Sequence, residues 1–384
     1  MGPLLARRKF AMAKSAYIHI PFCQHKCDFC DFAAFAGLDD LSEEYSRVVV
    51  QEINQRLNKD PNAEKLATVF FGGGTPGYVP PQQLANIIEA LRQNCGIEAN
   101  AEITLETTPH TITPEKCASW QMHGINRISI GVESLQDFEL KAMGRDHTRA
   151  QAMSGARVAR ESGYDNLALD LMYGLPEQTL ESWSDTLDDL LSLQPKHISA
   201  YGLTIAQNSP LLLRFPRDSE KYPSEEIFEK MYYMLVDKCE AAGLAQYEIA
   251  NFAFPGYESR HNIVYWKNEE YLAFGVSAHR YYRGIRSSNF RGLKKYMREF
   301  FNDETAEEID TDNRLKEAVF LGLRLRAGLN LAEFQQKYGV DLLVSKAREI
   351  DKLQSFGLLD LTAGNLKLTQ RGVLISNSVL AELI

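Results

Sequence analysis

Cys23, Cys27 and Cys30 lie in the stretch YIHIPFCQHKCDFCDFAAF, which puts three thiols within eight residues. An apolar, strand-like run precedes them and a helix-like one follows. A disulfide takes two thiols, and a structural zinc site usually takes four ligands. A C-x3-C-x2-C loop can instead hold three corners of a [4Fe–4S] cube through soft thiolates, leaving the fourth iron open to a substrate or cofactor. Zinc would need a further ligand, which His25 inside the loop or His19 could supply. Three unliganded thiols in one exposed loop would be prone to oxidation. The remaining cysteines, Cys95, Cys117 and Cys239, are scattered through helix-like stretches and read as small core hydrophobes.

Other polar and glycine-rich groups fall where strand-like runs end. Residues 72–76 read GGGTP, and glycine there allows close backbone approach to a ligand. If the open iron chelates S-adenosylmethionine, Glu106, Arg145 and Asp170 could hold its amino, carboxylate and ribose groups, Arg being suited to carboxylate pairing. The plainer alternative for each acid is a helix cap or an ion-pair partner.

The elements that must position these groups alternate between strand and helix. AYIHIPF, ATVFFGG, AEITLET, NRISIGV, NLALDLMYG and HISAYGLT are short β-rich runs, several of them nearly continuous apolar stretches. Such runs suit parallel strands covered on both faces. Between them lie helical patterns. In LSEEYSRVVVQEINQRL, Leu41, Tyr45, Val48, Glu52 and Ile53 trace one face with one polar exception. Thr113 and Pro114 open another helix that stops at Gly124, and Thr179 opens a third that stops before Pro195. About six β/α units between residues 16 and 205 predict an α/β fold, a partial (β/α)6 barrel short of the eight units of a complete one. The chemistry-bearing segments 21–30, 72–76 and 174–176, with Glu106 and Glu133, all fall at strand C-terminal ends, the functional edge of such sheets.

The expected organisation is a flexible tail at 1–15, the barrel domain at 16–240, a connecting region at 241–300 and a small winged-helix-like α+β domain at 301–384. In the last, RLKEAVFLGLRLRAG, NLAEFQQKYG and DLLVSKAREIDKLQSFG read as three helices, and LLDLTAGNLKLTQRG as two strands around AGN. A winged helix invites a DNA-binding reading, but residues 301–384 carry 10 Lys or Arg against 13 Asp or Glu and lack a basic face. Across 384 residues the net charge is −9, which also argues against general nucleic-acid or anionic-membrane binding. The N-terminus is basic without a signal-peptide apolar region, and no apolar run approaches membrane-span length. A cytoplasmic protein is expected.

YIHIPFCQHKCDFC, FFGGGTP, LET, RISIGVESLQD, MGRDH and LDLMYGLP together resemble the radical SAM family that contains the oxygen-independent coproporphyrinogen III oxidases and the HemN-like heme chaperones. The resemblance runs from Tyr17 through the C-terminal domain. It implies a [4Fe–4S] cluster on Cys23, Cys27 and Cys30, with Tyr17 and Phe29 packed against S-adenosylmethionine. Gly73, Gly74 and Thr75 would line the amino-acid end of that cofactor, and Glu106, Arg145 and Asp170 match its polar contacts. Glu133 stands where relatives commonly carry Gln, and an ionised carboxylate cannot donate a hydrogen bond as Gln does. Tyr201 aligns loosely near the cofactor, and Ala206 replaces a Glu of many relatives.

Two features of the resemblance favour the heme chaperones. The oxidases carry a further cysteine two residues after the third, and here that position is Phe32. HNIVYW at 261–266 matches their heme-associated motif, in which His261 would ligate heme iron. Tyr265 and Trp266 would offer flat faces to the porphyrin, and Arg260 a propionate partner. His279 is a second candidate ligand. The alternative for this motif is a loop-fixing His and Asn with a core Trp. The implied function is to bind heme and pass it to an apo-hemoprotein, with any membrane-protein contact transient and homodimerisation open. The rival is a coproporphyrinogen oxidase performing radical oxidative decarboxylation, and a blander third reading is a structural or electron-relay cluster.

Overall fold

The computed structural model describes residues 13–58, 64–207 and 209–384. Most of the tail expected at 1–15 lies outside them. The six anticipated strands are present: β1 (Ser15–Ile20), β2 (Leu66–Gly73), β3 (Ile97–Thr107), β4 (Arg127–Glu133), β5 (Leu167–Tyr173) and β6 (His197–Gly202). They pair side by side in chain order, all parallel. The intervening helices are α1 (Ser42–Leu57), α2 (Pro81–Asn94), α3 (Pro114–Met122), α4 (Asp137–Ala142), α5 (Arg149–Glu161) and α6 (Leu180–Ser192). Ile18, Val69, Leu105, Ile128, Leu169 and Ile198 on the strands are fully buried in one core with Ile53, Ile87, Trp120 and Leu187 of the helices. Each such aliphatic side chain contributes about 1.5–3 kcal/mol by leaving water.

Local chemistry sets where the helices begin. Thr113 Oγ1 accepts from the Lys116 N–H, with Pro114 at the first helical position. Thr179 and Ser182 cap α6 reciprocally, each side chain accepting the other's backbone N–H.

The 241–300 stretch does more than connect. β7 (Ala245–Gln246), β8 (Asn251–Ala253) and β9 (Leu272–Phe274) join the main sheet, whose order is β9-β1-β2-β3-β4-β5-β6-β8-β7. β9 runs parallel to β1 at one edge, and β8 antiparallel to β6 at the other. The result is an open arc rather than a closed barrel. Glu52, the polar exception on α1, holds part of this stretch in place. Fully buried, it accepts from the Gly275 N–H at 2.9 Å, Asn289 Nδ2 at 2.8 Å, Tyr296 Oη at 2.7 Å and Arg56 Nε at 2.8 Å.

The C-terminal region begins with helix Thr311–Gly322 and helix Leu331–Tyr338. The third expected helix breaks at Lys346 into Leu342–Ser345 and Ala347–Ser355. Strands Leu359–Thr362 and Asn365–Leu368 form the hairpin, with Ala363 and Gly364 at φ 52° and 78° in its turn. Leu329–Asn330 adds a third strand, and two short helices, Gln370–Leu374 and Ser376–Leu383, close the chain. Among the described residues no helix is long and apolar enough to cross a membrane.

Candidate functional site

The cysteine loop leaves the C-terminal end of β1. Phe22 and Cys23 pair in parallel with Phe35 and Ala36, which pins its two ends together. His19 reinforces the closure, its Nε2 bonding the Ala33 carbonyl at 3.0 Å while Nδ1 meets the Tyr17 hydroxyl at 3.1 Å. With both nitrogens engaged, and burial pulling its pKa down to about 4, His19 is a neutral loop anchor rather than a free metal ligand. At mid-loop the Asp28 N–H donates to Met143 O at 3.1 Å, and Asp28 O accepts from the Leu211 N–H at 3.0 Å and from Ser209 Oγ. Arg214 pairs with the Asp28 carboxylate at 2.8 Å.

All three cysteines line one cavity of about 350 Å³, within the range of small-molecule sites. Burial raises each thiol's pKa, that of Cys23 to about 11. Thr75 Oγ1 donates to Cys23 Sγ at 3.5 Å and Arg145 to Cys27 Sγ at 3.1 Å. A bound cation would reverse the burial effect and deprotonate the thiols. A single zinc, with Zn–S near about 2.3 Å, would draw the three sulfurs close together. Among the described residues, however, the trio whose ligand atoms fall within 4.8 Å of one another is His110, Asp146 and His147, not the cysteines. Three soft thiolate donors around an open cavity are the set that a [4Fe–4S] cluster takes.

Gly73, Gly74, Thr75, Phe29, Glu106, Glu133, Arg145 and Asp170 line the same cavity. The glycines of GGGTP are required chiefly by packing. A Cβ on Gly73, whose φ is +110°, would lie 2.4 Å from the His19 ring, and one on Gly74 2.8 Å from the Pro21 backbone. A Cβ on Gly72 would lie 2.9 Å from Glu106 Oε2. The close approach demanded here is of the β1 end and its neighbours, in addition to any ligand.

The acids are the most unusual part of the cavity. Glu106 accepts the Gly73 N–H at 3.2 Å, and its pKa is raised to about 8 by burial and then by the Asp170 charge. Glu133 is raised to about 7 by burial, against the pull of Arg145, whose guanidinium is 3.8 Å away. Glu133 sits at φ 65°, where the β4–β5 register slips after Gly131, a bulge that re-aims its side chain. Asp170 accepts from Ser129 Oγ at 3.0 Å, and burial raises its pKa too. Three carboxylates thus converge beside three thiols, with Arg145 and Lys26 as lining cations and the Arg127 charge also acting on Glu106 and Asp170. That surplus of acceptors matches a ligand carrying an ammonium and a sulfonium. At pH near 7 Glu133 is partly protonated, and in that form it can donate as a Gln would.

Not every candidate reaches the cavity. Tyr201 does, whereas Tyr17 lies behind Gly72, its ring stacked on Phe70 at 6.2 Å. His261 is 1% exposed on α8 (Arg260–Trp266; α7 is Glu225–Ala241), and its nitrogens meet Thr68 Oγ1 at 2.7 Å and Tyr265 Oη at 2.8 Å. Burial pulls its pKa to about 3. Phe70 stacks on His261 at 5.2 Å, so an aromatic column joins Tyr17 to the HNIVYW helix. Arg260 donates to Asn100 O at 2.7 Å, and His279 is the exposed first residue of a hairpin strand whose next two residues are buried. Trp266 faces a second cavity, of about 520 Å³, with Lys267, Phe334, Lys337 and Tyr338, and Arg324 covers its ring at 5.0 Å. Ser129, Thr108, His110 and Asp146 also line the cysteine cavity and were missed from sequence. Of these, Ser129 and Asp146 had a signal, their places in RISIGVESLQD and in MGRDH beside Arg145.

Residues 17–190 match the model of the radical SAM superfamily, and residues 309–375 match that of the HemN C-terminal domain. The heme chaperone HemW of Bacillus subtilis is 34% identical over 371 residues, covering 95% of this chain and 98% of that protein. HemW of Escherichia coli is 32% identical, covering 95% and 97%. The solved structure of coproporphyrinogen III oxidase (HemN) from Escherichia coli superposes with a TM-score of 0.84 over 97% of this chain and 90% of that one, at 23% identity, and so shares the fold. With a radical SAM partial barrel, a HemN-type C-terminal domain and near full-length likeness to these chaperones, the chain belongs to the HemW family.

Proposed function

We propose that the chain holds a [4Fe–4S] cluster on Cys23, Cys27 and Cys30, binds S-adenosylmethionine beside it, and carries heme to an apo-hemoprotein in the cytoplasm. The observation that best supports the cofactor reading is the convergence of Glu106, Glu133 and Asp170 on the thiol-lined cavity with too few cations of their own. The cluster, when bound, supplies an open iron that can chelate the amino-acid end of the cofactor. Glu106 and Asp170 accept from its ammonium and ribose, Glu133 donates or accepts according to its protonation, and Arg145 pairs with its carboxylate. Phe29 closes over it. The heme reading rests on the HemW relatives and the HNIVYW helix.

Phe32, 65% exposed at the rim of the cavity, stands where an oxidase would place a further thiol. It favours delivery over decarboxylation. Trp266, with Arg324 over one face of its ring, and Tyr338, packed on the buried Phe334, line the second cavity as the aromatic surface for a porphyrin, and Lys267 and Lys337 suit its propionates. For His261 to reach iron, its ring must give up the bond to Thr68 or to Tyr265, and because it is 1% exposed the packing around α8 must open, so heme uptake is coupled to movement there. Handover then requires that the two positions of α8 differ in heme affinity.

The test is a heme titration of the anaerobically reconstituted protein and its His261→Ala variant. Saturable binding by the wild type that the variant loses supports the reading. Equal binding by both removes His261 as ligand, and no binding by either sinks the chaperone reading. Conversion of coproporphyrinogen III to protoporphyrinogen IX in the same preparation would establish the oxidase.

A further inference from the structure

His110, Asp146 and His147 form a cluster that the proposed function does not use. One ligand atom from each lies within 4.8 Å of the other two. His110 sits in the single turn Pro109–Thr111 that follows β3, and Asp146 and His147 in the link between α4 and α5. The two segments are locked together. The Pro109 carbonyl presses on Gly155 of α5, where a Cβ would come within 2.6 Å of it. A capping box at Thr148 and Gln151 fixes the start of α5 one residue after His147.

The ring chemistry points to a missing partner. His147 is 3% exposed, and its Nε2 bonds the Val132 carbonyl at 3.0 Å. That bond requires the proton on Nε2, so Nδ1 presents a lone pair, and Nδ1 is buried with no hydrogen-bond partner. A backbone carbonyl fixing the far nitrogen is the usual arrangement behind a metal-bound imidazole. Both His110 nitrogens are likewise buried and unpartnered. His110 Nε2 lies 3.6 Å from Asp146 Oδ2, too far for a hydrogen bond. The nearby cations have other partners: Arg145 donates to Gly131 O and Cys27 Sγ, and Lys116 to Gly77 O.

We propose that His110, Asp146 and His147 hold one divalent ion of the zinc or iron(II) class. Two neutral imidazoles and a carboxylate are the donor set such ions favour, whereas magnesium and calcium prefer all-oxygen shells. Ligand distances of about 2.0–2.2 Å need only a small closing of the trio. Because His110 and Asp146 also line the cysteine cavity, the remaining coordination positions face it, open to water or to an oxygen of a molecule held there.

Cobalt(II) is the probe, titrated into the full-length chain carrying Cys23→Ser, Cys27→Ser and Cys30→Ser so that the clustered thiolates of the loop do not compete. One ion per chain with visible ligand-field bands is expected. Adding His110→Ala or His147→Gln should weaken that binding by at least about tenfold, since even outer-shell losses at metal sites cost as much. Absence of the bands, or equal affinity with and without the histidine changes, overturns the site. Should His147→Gln fail to fold by circular dichroism, His110→Ala, in a partly exposed turn, decides alone.

Discussion

Glu52 and Glu106 are both acids withdrawn from water, yet they are equipped oppositely. Glu52 accepts from four donors of its own chain, contributed by α1 and by residues 275–296. Glu106 has the Gly73 N–H and, around it, the further acids Glu133 and Asp170. A structural carboxylate is surrounded by enough donors to fill its lone pairs. A ligand-binding one is left short of them, and its raised proton affinity registers the shortage. The same contrast separates His19, with both nitrogens engaged, from His110, with neither.

The largest effect should come from breaking the satisfied member. Glu52→Ala leaves the Gly275 N–H and the Tyr296 hydroxyl without this acceptor and removes the carboxylate paired with Arg56, and should cost about 3–5 kcal/mol, the range for breaking a buried ion pair, read as a lower urea midpoint. At pH 4.5 and below, Glu106→Gln should leave that midpoint nearly unchanged, because the acid is protonated there and the amide oxygen still accepts from Gly73. It should instead weaken S-adenosylmethionine binding to the reconstituted protein about tenfold or more, as expected for a charge-assisted hydrogen bond of about 1.5–3 kcal/mol, measured by equilibrium dialysis. If both substitutions merely destabilise, the contrast fails.

The pH dependence should separate them further. In the cluster-free chain Glu106 titrates near 8 when folded, against an ordinary 4.5 when unfolded. Between those values the folded state binds the proton more tightly, so this residue's contribution is fully present below 4.5 and declines as pH rises toward 8. Glu106→Gln should flatten that decline in urea melts recorded across the window, and an unchanged slope would remove Glu106 as its source. The smallest effect expected is at His261. Tyr265→Phe frees Nε2 from a bond of about 0.5–1.5 kcal/mol, so heme affinity should rise by a few-fold if that nitrogen ligates iron. A fall would place the ligand elsewhere.

The six barrel strands were legible because strands covered on both faces write themselves as nearly unbroken apolar runs. β7, β8 and β9 were not, since two or three residues hold no periodicity. Placing Cys23, Cys27, Cys30, Glu106 and Glu133 around one cavity needed only the rule that strand C-terminal ends share an edge, whereas Arg145, in the link between α4 and α5, and Asp170, within β5, were placed by the family resemblance. Glu52 stood out as an irregularity in a helical stripe, but its four partners lie more than 200 residues away or one turn along the helix, beyond any local pattern. Tyr17 and His261 were expected at the ligands themselves. Neither lines the cysteine cavity: Tyr17 packs behind Gly72 and His261 is buried on α8, placements set by side-chain direction rather than residue type.

The fit of Gly73 against the His19 ring bears on how damage to this protein would be interpreted. A methyl group there would collide with the anchor of the cysteine loop before meeting any ligand. A variant at Gly73 would therefore shed its iron and its cofactor together, and a genetic screen would score the position as indispensable for binding. Its loss would report a misplaced loop, so a measurement of how the cofactor is gripped has to be made at the carboxylates, where shape survives the substitution.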